Sequence, residues 1–87
     1  MTDPNQLTAP TAVAVLTHVV RSIVDDPDAV QVDEVDGRQR IKLEVKVGPG
    51  DLGRVIGRRG RTAQSIRVLV RAAAATDGHE VAVGFVV

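Results

Sequence analysis

Apolar residues recur along the chain in distinct rhythms. From about Pro10 onward they fall at helical spacing, at Val13, Leu16, Val20, Ile23 and Val24. Proline suits a first helical turn, because its missing N–H has no intrahelical partner there anyway. The segment Asp25-Asp26-Pro27-Asp28 ends this helix, since a residue before proline is pushed out of helical geometry. Val30, Val32 and Val35 follow in a β-prone run whose alternation is imperfect, so its register stays open. After Asp36-Gly37 the alternation becomes clean. Ile41, Leu43, Val45 and Val47 lie on one side, and Lys42, Glu44 and Lys46 on the other, the signature of a half-buried strand. Asp-Gly between two such runs predicts a hairpin.

Gly48-Pro49-Gly50 stops the strand, and Asp51 is placed to N-cap a short helix through Leu52, Val55 and Ile56. A second helix is predicted over 62–76, with Ala63, Ile66, Val70 and Ala73 inward and Gln64, Arg67 and Arg71 outward. Asp77-Gly78 closes it. Val81 to Val87 reads as a last strand with Val81, Val83 and Phe85 on one side. The order is α-β-β-α-α-β, an α+β fold. Two helices between strands 41–47 and 81–87 form a crossover, which makes those strands parallel and the connection right-handed. With the hairpin strand added, the expectation is a three-stranded mixed sheet with helices packed on one face. Residues 1–8 are polar and expected to be flexible, leaving a single domain over 9–87.

Composition narrows the picture. Phe85 is the only aromatic among 87 residues, so the core must be aliphatic. There is no cysteine, which excludes disulfides and thiolate metal sites and fits a reducing cytosol. No apolar run approaches the roughly 20 residues that span a bilayer, and the start lacks a basic-then-apolar signal pattern. A cytoplasmic protein is the expectation. The net charge of zero conceals an uneven distribution. Residues 1–37 hold seven acids and one base, whereas residues 38–71 hold ten bases and two acids. Six arginines fall between Arg54 and Arg71. Clustering of this kind points to a polyanion partner more than total charge does.

The basic segment contains Val55-Ile56-Gly57-Arg58-Arg59-Gly60-Arg61. A Gly-x-x-Gly match alone is weak; chance supplies about 0.4 in a chain this long. Its position strengthens it. Lying between a very short helix and a longer one, the turn exposes backbone N–H groups where the second helix begins, and the helix dipole adds positive potential there. Arg58 and Arg59 can reach phosphates, with Arg54 and Arg61 flanking. The bland alternative is a tight helix–helix turn with solvated arginines. Gly48-Pro49-Gly50-Asp51-Leu52-Gly53 matches a dinucleotide fingerprint, but the helix after it breaks within about a turn and Asp51 would repel a pyrophosphate. His18 and His79 have no cysteine or histidine partners, so neither a metal nor a cofactor is indicated. No catalytic constellation can be assembled. Lys42 and Lys46 read as solvated. The run Ala72–Ala75 reads as close helix packing or as a flat self-association surface. Without aromatic platforms, bases would have to be held in an aliphatic groove instead of by stacking.

The segment Val55 to Thr62 resembles the Ile-Gly-x-x-Gly signature of KH domains, and the element order resembles their type II, or bacterial, arrangement. The resemblance covers about Leu7 to Val87. Within the KH proteins the chain is most similar to the small single-domain KhpA family, through Asp25 to Val30, Gly48 to Gly57 and Ile66 to Ala74. That family's loop often carries Lys and Gln in the middle, where this chain has two arginines. The resemblance implies that Gly57 to Gly60 clamps the backbone of about four single-stranded RNA nucleotides. It implies a base groove at Ile56, with Val55 and Ile66 as further candidates. It also implies an RNA chaperone or post-transcriptional regulator, a larger KhpB-like KH partner, and links to cell shape and wall homeostasis. A homodimer is a second expectation, from the small size and the alanine-rich helix. The rival reading is a protein-interaction module whose loop is vestigial for RNA.

Overall fold

A computed structural model describes residues 8–36 and 40–86 of the chain. Most of the expected flexible N-terminus, Gly37 of the predicted hairpin turn and the last residue of the predicted final strand lie outside them. The elements run α1 (Pro10–Ile23), β1 (Gln31–Asp36), β2 (Ile41–Lys46), α2 (Leu52–Ile56), α3 (Arg61–Thr76) and β3 (Val81–Val86). Short 3-10 turns occupy Pro27–Ala29 and Arg58–Gly60. The sheet order is β1-β2-β3. β1 pairs antiparallel with β2, Val32 opposite Val45, and β2 pairs parallel with β3, Leu43 opposite Val83.

The helices cover the face of β2 that carries Ile41, Leu43 and Val45, all fully buried. Leu16 and Val20 of α1, Val55 of α2, and Ile66, Val70 and Ala74 of α3 close the core from the other side. Lys42 and Lys46 point to the opposite, solvated face. Register resolves the ambiguity of β1: Val32 faces the core, and Val35, opposite Lys42, is exposed. On α3 the fourth inward position is Ala74; Ala73, expected there, is only half-buried. On α1, Ala12 is fully buried and Val13 half-buried, so the stripe begins one position earlier than expected, while Leu16 and Val20 are buried as expected.

Acids tie the helix ends together. α1 has no capping side chain of its own at Ala9. Its first N–H groups go elsewhere: Ala9 donates to Glu34 of β1, and Thr11 and Ala12 donate to the Asp77 carboxylate at the end of α3. These bonds place negative charge at the positive end of the α1 dipole. α3 itself ends in a Schellman motif: Gly78, at φ 77°, donates to the Ala75 carbonyl and His79 to that of Ala74. Asp51 departs from expectation. It stands before α2, but its carboxylate caps nothing there. Buried to 2% exposure, it accepts the N–H groups of Asp25 and Asp26, both at 3.1 Å, and so fastens the end of α1 beneath α2.

Candidate nucleic-acid interface

Two glycines with different physical duties frame the loop. Gly57 ends α2 at φ 75°, ψ 176°, a region that only glycine occupies without strain. A Cβ there would also collide with Thr62, lying 2.7 Å from its Cβ and 3.0 Å from its backbone nitrogen. Gly60 is left-handed, at φ 72°, ψ 15°, with open space where a side chain would project. The first glycine therefore permits close packing of the loop on α3, and the second only reverses the chain.

Between them Arg59 adopts φ 56°, ψ 25°, the only positive φ outside glycine among the described residues. A left-handed arginine is strained, and such strain concentrates where the surrounding structure over-determines a functional turn. The Gly57 N–H is used by the Gly53 carbonyl, and the Gly60 N–H by that of Gly57. Arg58 and Arg59 sit between these bonded amides, and their side chains are exposed. Among the described residues, no carboxylate pairs with Arg58, Arg59 or Arg61.

Arg54 is different. Its guanidinium lies 2.9 Å from Asp25 and 3.5 Å from Asp51, so acids of the neighbouring turn already neutralise it. Ile56 is 37% exposed beside the loop, an apolar surface next to the arginines. Val55 and Ile66 are buried in the core, so they support the loop from beneath and present no surface of their own.

Two residues at the adjoining edge carry no motif. Arg67 of α3 donates from Nε to the outward carbonyl of Val83, and its guanidinium sits 5.5 Å from the Phe85 ring centroid. This occupies a carbonyl on the free edge of β3. The β-α-α-β crossover places the loop at one end of the strip between α3 and β3, with Arg67 partway along it. Sequence pattern assigned Arg67 only to an outer helix face; the parallel pairing of β2 with β3 was the signal that brings β3 beside it.

An α-β-β-α-α-β order with Gly-Arg-Arg-Gly between its crossover helices defines a type II KH domain. A family model described as the KhpA/KhpB KH domain matches residues 13–84. Curated relatives named RNA-binding protein KhpA agree with it. The protein from Leifsonia xyli subsp. xyli is 55% identical over 71 residues, 82% of this chain and 91% of the relative. The one from Caldanaerobacter subterraneus subsp. tengcongensis is 51% identical over 65 residues, covering 75% and 87%. The one from Clostridium acetobutylicum is 50% identical over 68 residues, covering 78% and 91%. No solved structure matches. The chain belongs to the KhpA/KhpB family of KH domains.

Proposed function

We propose that the protein binds single-stranded RNA through the Gly57–Gly60 loop, without enzymatic activity, as a cytoplasmic RNA chaperone or post-transcriptional regulator. The observation that carries this reading is the loop's conformation. Gly57 in its glycine-only geometry and left-handed Arg59 turn two arginines outward at the head of α3, where the helix dipole also favours phosphate. Arg58, Arg59 and Arg61 supply the attraction, and Ile56 offers an apolar contact to the first base. Val55 and Ile66 act through the backbone they support, and Arg54 by orienting α2 from its acidic anchors. The relatives' name, RNA-binding protein, points the same way. A mechanism built on backbone contacts discriminates weakly among bases and depends strongly on salt.

The test is the double substitution Arg58→Asp/Arg59→Asp, followed by filter binding to a single-stranded RNA at physiological salt. Retention is lost while the far-UV circular dichroism stays native. Undiminished binding would refute the loop mechanism.

A second reading has its own observation. Val68 and Leu69 are 57% and 52% exposed on α3, beside a shallow depression lined by Arg61, Gln64 and Ser65. That apolar patch favours an interaction face, for a second copy or for a larger KH-containing protein of the KhpB type. Two loops held side by side would raise avidity without new RNA contacts. Through such assemblies the domain would act in cell shape and wall homeostasis.

A further inference from the structure

We infer that the far end of α3 carries a second phosphate-binding site, which extends the RNA track beyond the loop. The inference rests on the reading of Gly57–Gly60 as an RNA clamp. A cleft of about 370 Å³ lies where α3 ends and β2 and β3 begin, lined by Arg40, Arg71, Ala75, His79, Glu80 and Val81. Arg40 precedes β2, and the Ile41 N–H bonds the Glu80 carbonyl, so the start of the parallel pair fixes both flanks of the cleft. Arg71 enters from the helix. Three separate chain segments thus converge on one concavity.

The chemistry of the lining suits a phosphodiester. Two guanidinium groups offer planar forks of N–H donors, the geometry that matches phosphate oxygens. His79 adds a ring donor. Among the described residues, Glu80 is the only acid lining the cleft, and it lies outside ion-pair distance of both arginines. Ala75 and Val81 supply apolar walls, beside which an ion contact is screened less than in open water.

Position selects RNA as the occupant. Arg71 lies eleven positions after Gly60 on one continuous helix, about 16 Å at 1.5 Å per residue. That distance equals the rise of roughly five stacked nucleotides, and of fewer in an extended strand. Arg67 stands between the two sites on the same side, over the edge of β3. The strand that leaves the loop clamp along the α3–β3 strip therefore meets arginines at its start, its middle and its end. About four nucleotides fill the clamp; a longer oligonucleotide also reaches the cleft.

Length dependence tests this. The wild-type chain, Arg58→Asp/Arg59→Asp and Arg40→Ala/Arg71→Ala would each be titrated with a four-nucleotide and a twelve-nucleotide single-stranded RNA across a salt series. Arg40→Ala/Arg71→Ala leaves the four-nucleotide affinity unchanged. It weakens twelve-nucleotide binding on the order of tenfold at 0.1 M salt and lowers the salt slope by about 1.4, the value for two lost phosphate contacts on a single strand. Arg40→Lys/Arg71→Lys restores most of the loss. Equal losses on both lengths, or no loss on the longer RNA, would overturn the inference. If the loop variant retains both RNAs, the clamp reading fails separately, and the cleft is judged by its own length-dependent loss. Arg40 and Arg71 are exposed, and unchanged thermal melting confirms that the variants fold.

Discussion

Asp77 caps the helix on which Thr11 stands, although sixty-six positions separate them. The Thr11 hydroxyl donates to one carboxylate oxygen at 2.7 Å, while the Thr11 and Ala12 N–H groups donate to the other at 3.0 and 3.3 Å. The Thr11 hydroxyl bond holds the Asp77 carboxyl below its ordinary range, helped by these amides and by the His79 charge, and partly opposed by desolvation. A lowered pKa in the folded state means stability that is fully present above the unfolded value, about 3.9. It is lost as pH falls through the lower folded value. Asp77→Asn should therefore flatten the acid limb of the curve of urea midpoint against pH below about pH 4. An unchanged acid limb would show that the cap does not couple to protonation.

The two loop glycines should respond unequally to substitution. Gly57→Ala forces a Cβ into Thr62 and a backbone region closed to alanine, which costs about 2 kcal/mol or more and displaces the loop. Gly60→Ala meets open space and costs about 1 kcal/mol for its left-handed backbone, less as Gly60→Asn. Chemical denaturation measures the difference, and RNA affinity should fall further for the Gly57 variant.

Arg59 sets stability against binding. Its left-handed backbone is strained, so Arg59→Gly should be neutral to about 1 kcal/mol stabilising, the relief being offset by glycine's unfolded-state entropy. RNA affinity should fall all the same, because a charge is lost. Paired measurements of melting temperature and binding on the one variant check both signs.

Asp51→Ala removes the acceptor of two backbone N–H groups beside the core and leaves Arg54 with Asp25 alone. Stranded donors of this kind cost about 1–3 kcal/mol. Arg54→Ala breaks mainly an exposed ion pair and should cost about 1 kcal/mol or less. A urea denaturation series on the two variants should separate them clearly. Equal losses would mean that the carboxylate acts through the arginine and not through the amides.

Val68→Asp/Leu69→Asp should leave stability within about 0.5 kcal/mol, since both side chains are exposed. In light scattering at tens of micromolar the wild-type chain should show a dimer mass and the variant a monomer mass. A monomeric wild type would remove the homodimer and leave only the heterologous partner.

Periodicity made the sheet and its crossover legible. The alternation from Ile41 to Lys46 gave β2 its faces, and two helices between β-prone runs required the parallel pair. The loop glycines were legible for the same reason, since Gly-Arg-Arg-Gly interrupts a helical pattern that nothing else explains. What sequence could not supply was pairing across distance. Asp51 reads as a local N-cap, because the nearest helix start is its own; its actual partners, the amides of Asp25 and Asp26, depend on how α1 docks. Asp77 reads only as a helix terminator. Arg54 looks equivalent to Arg58 until the turn after α1 brings Asp25 to it. The family resemblance offered Val55 and Ile66 as groove residues, but both are buried in the core behind the loop, and a motif does not tell the wall of a groove from the core that supports it.

The parallel pairing of β2 with β3 has a kinetic consequence. Ile41 and Val81 meet across forty positions of chain, and α2, the Gly57–Gly60 loop and α3 all lie inside the span that must close. The β1–β2 pair and the internal hydrogen bonds of each helix join near neighbours and can organise early; contacts of long sequence separation, β2 with β3 and α1 with α3, are slow to form because closure entropy precedes their reward. The edge on which Arg67 meets Val83 should therefore form late, together with the docking of α1 on α3. Substitutions along β3 should slow refolding, whereas loop substitutions that leave the crossover intact should change RNA affinity and hardly touch the folding rate.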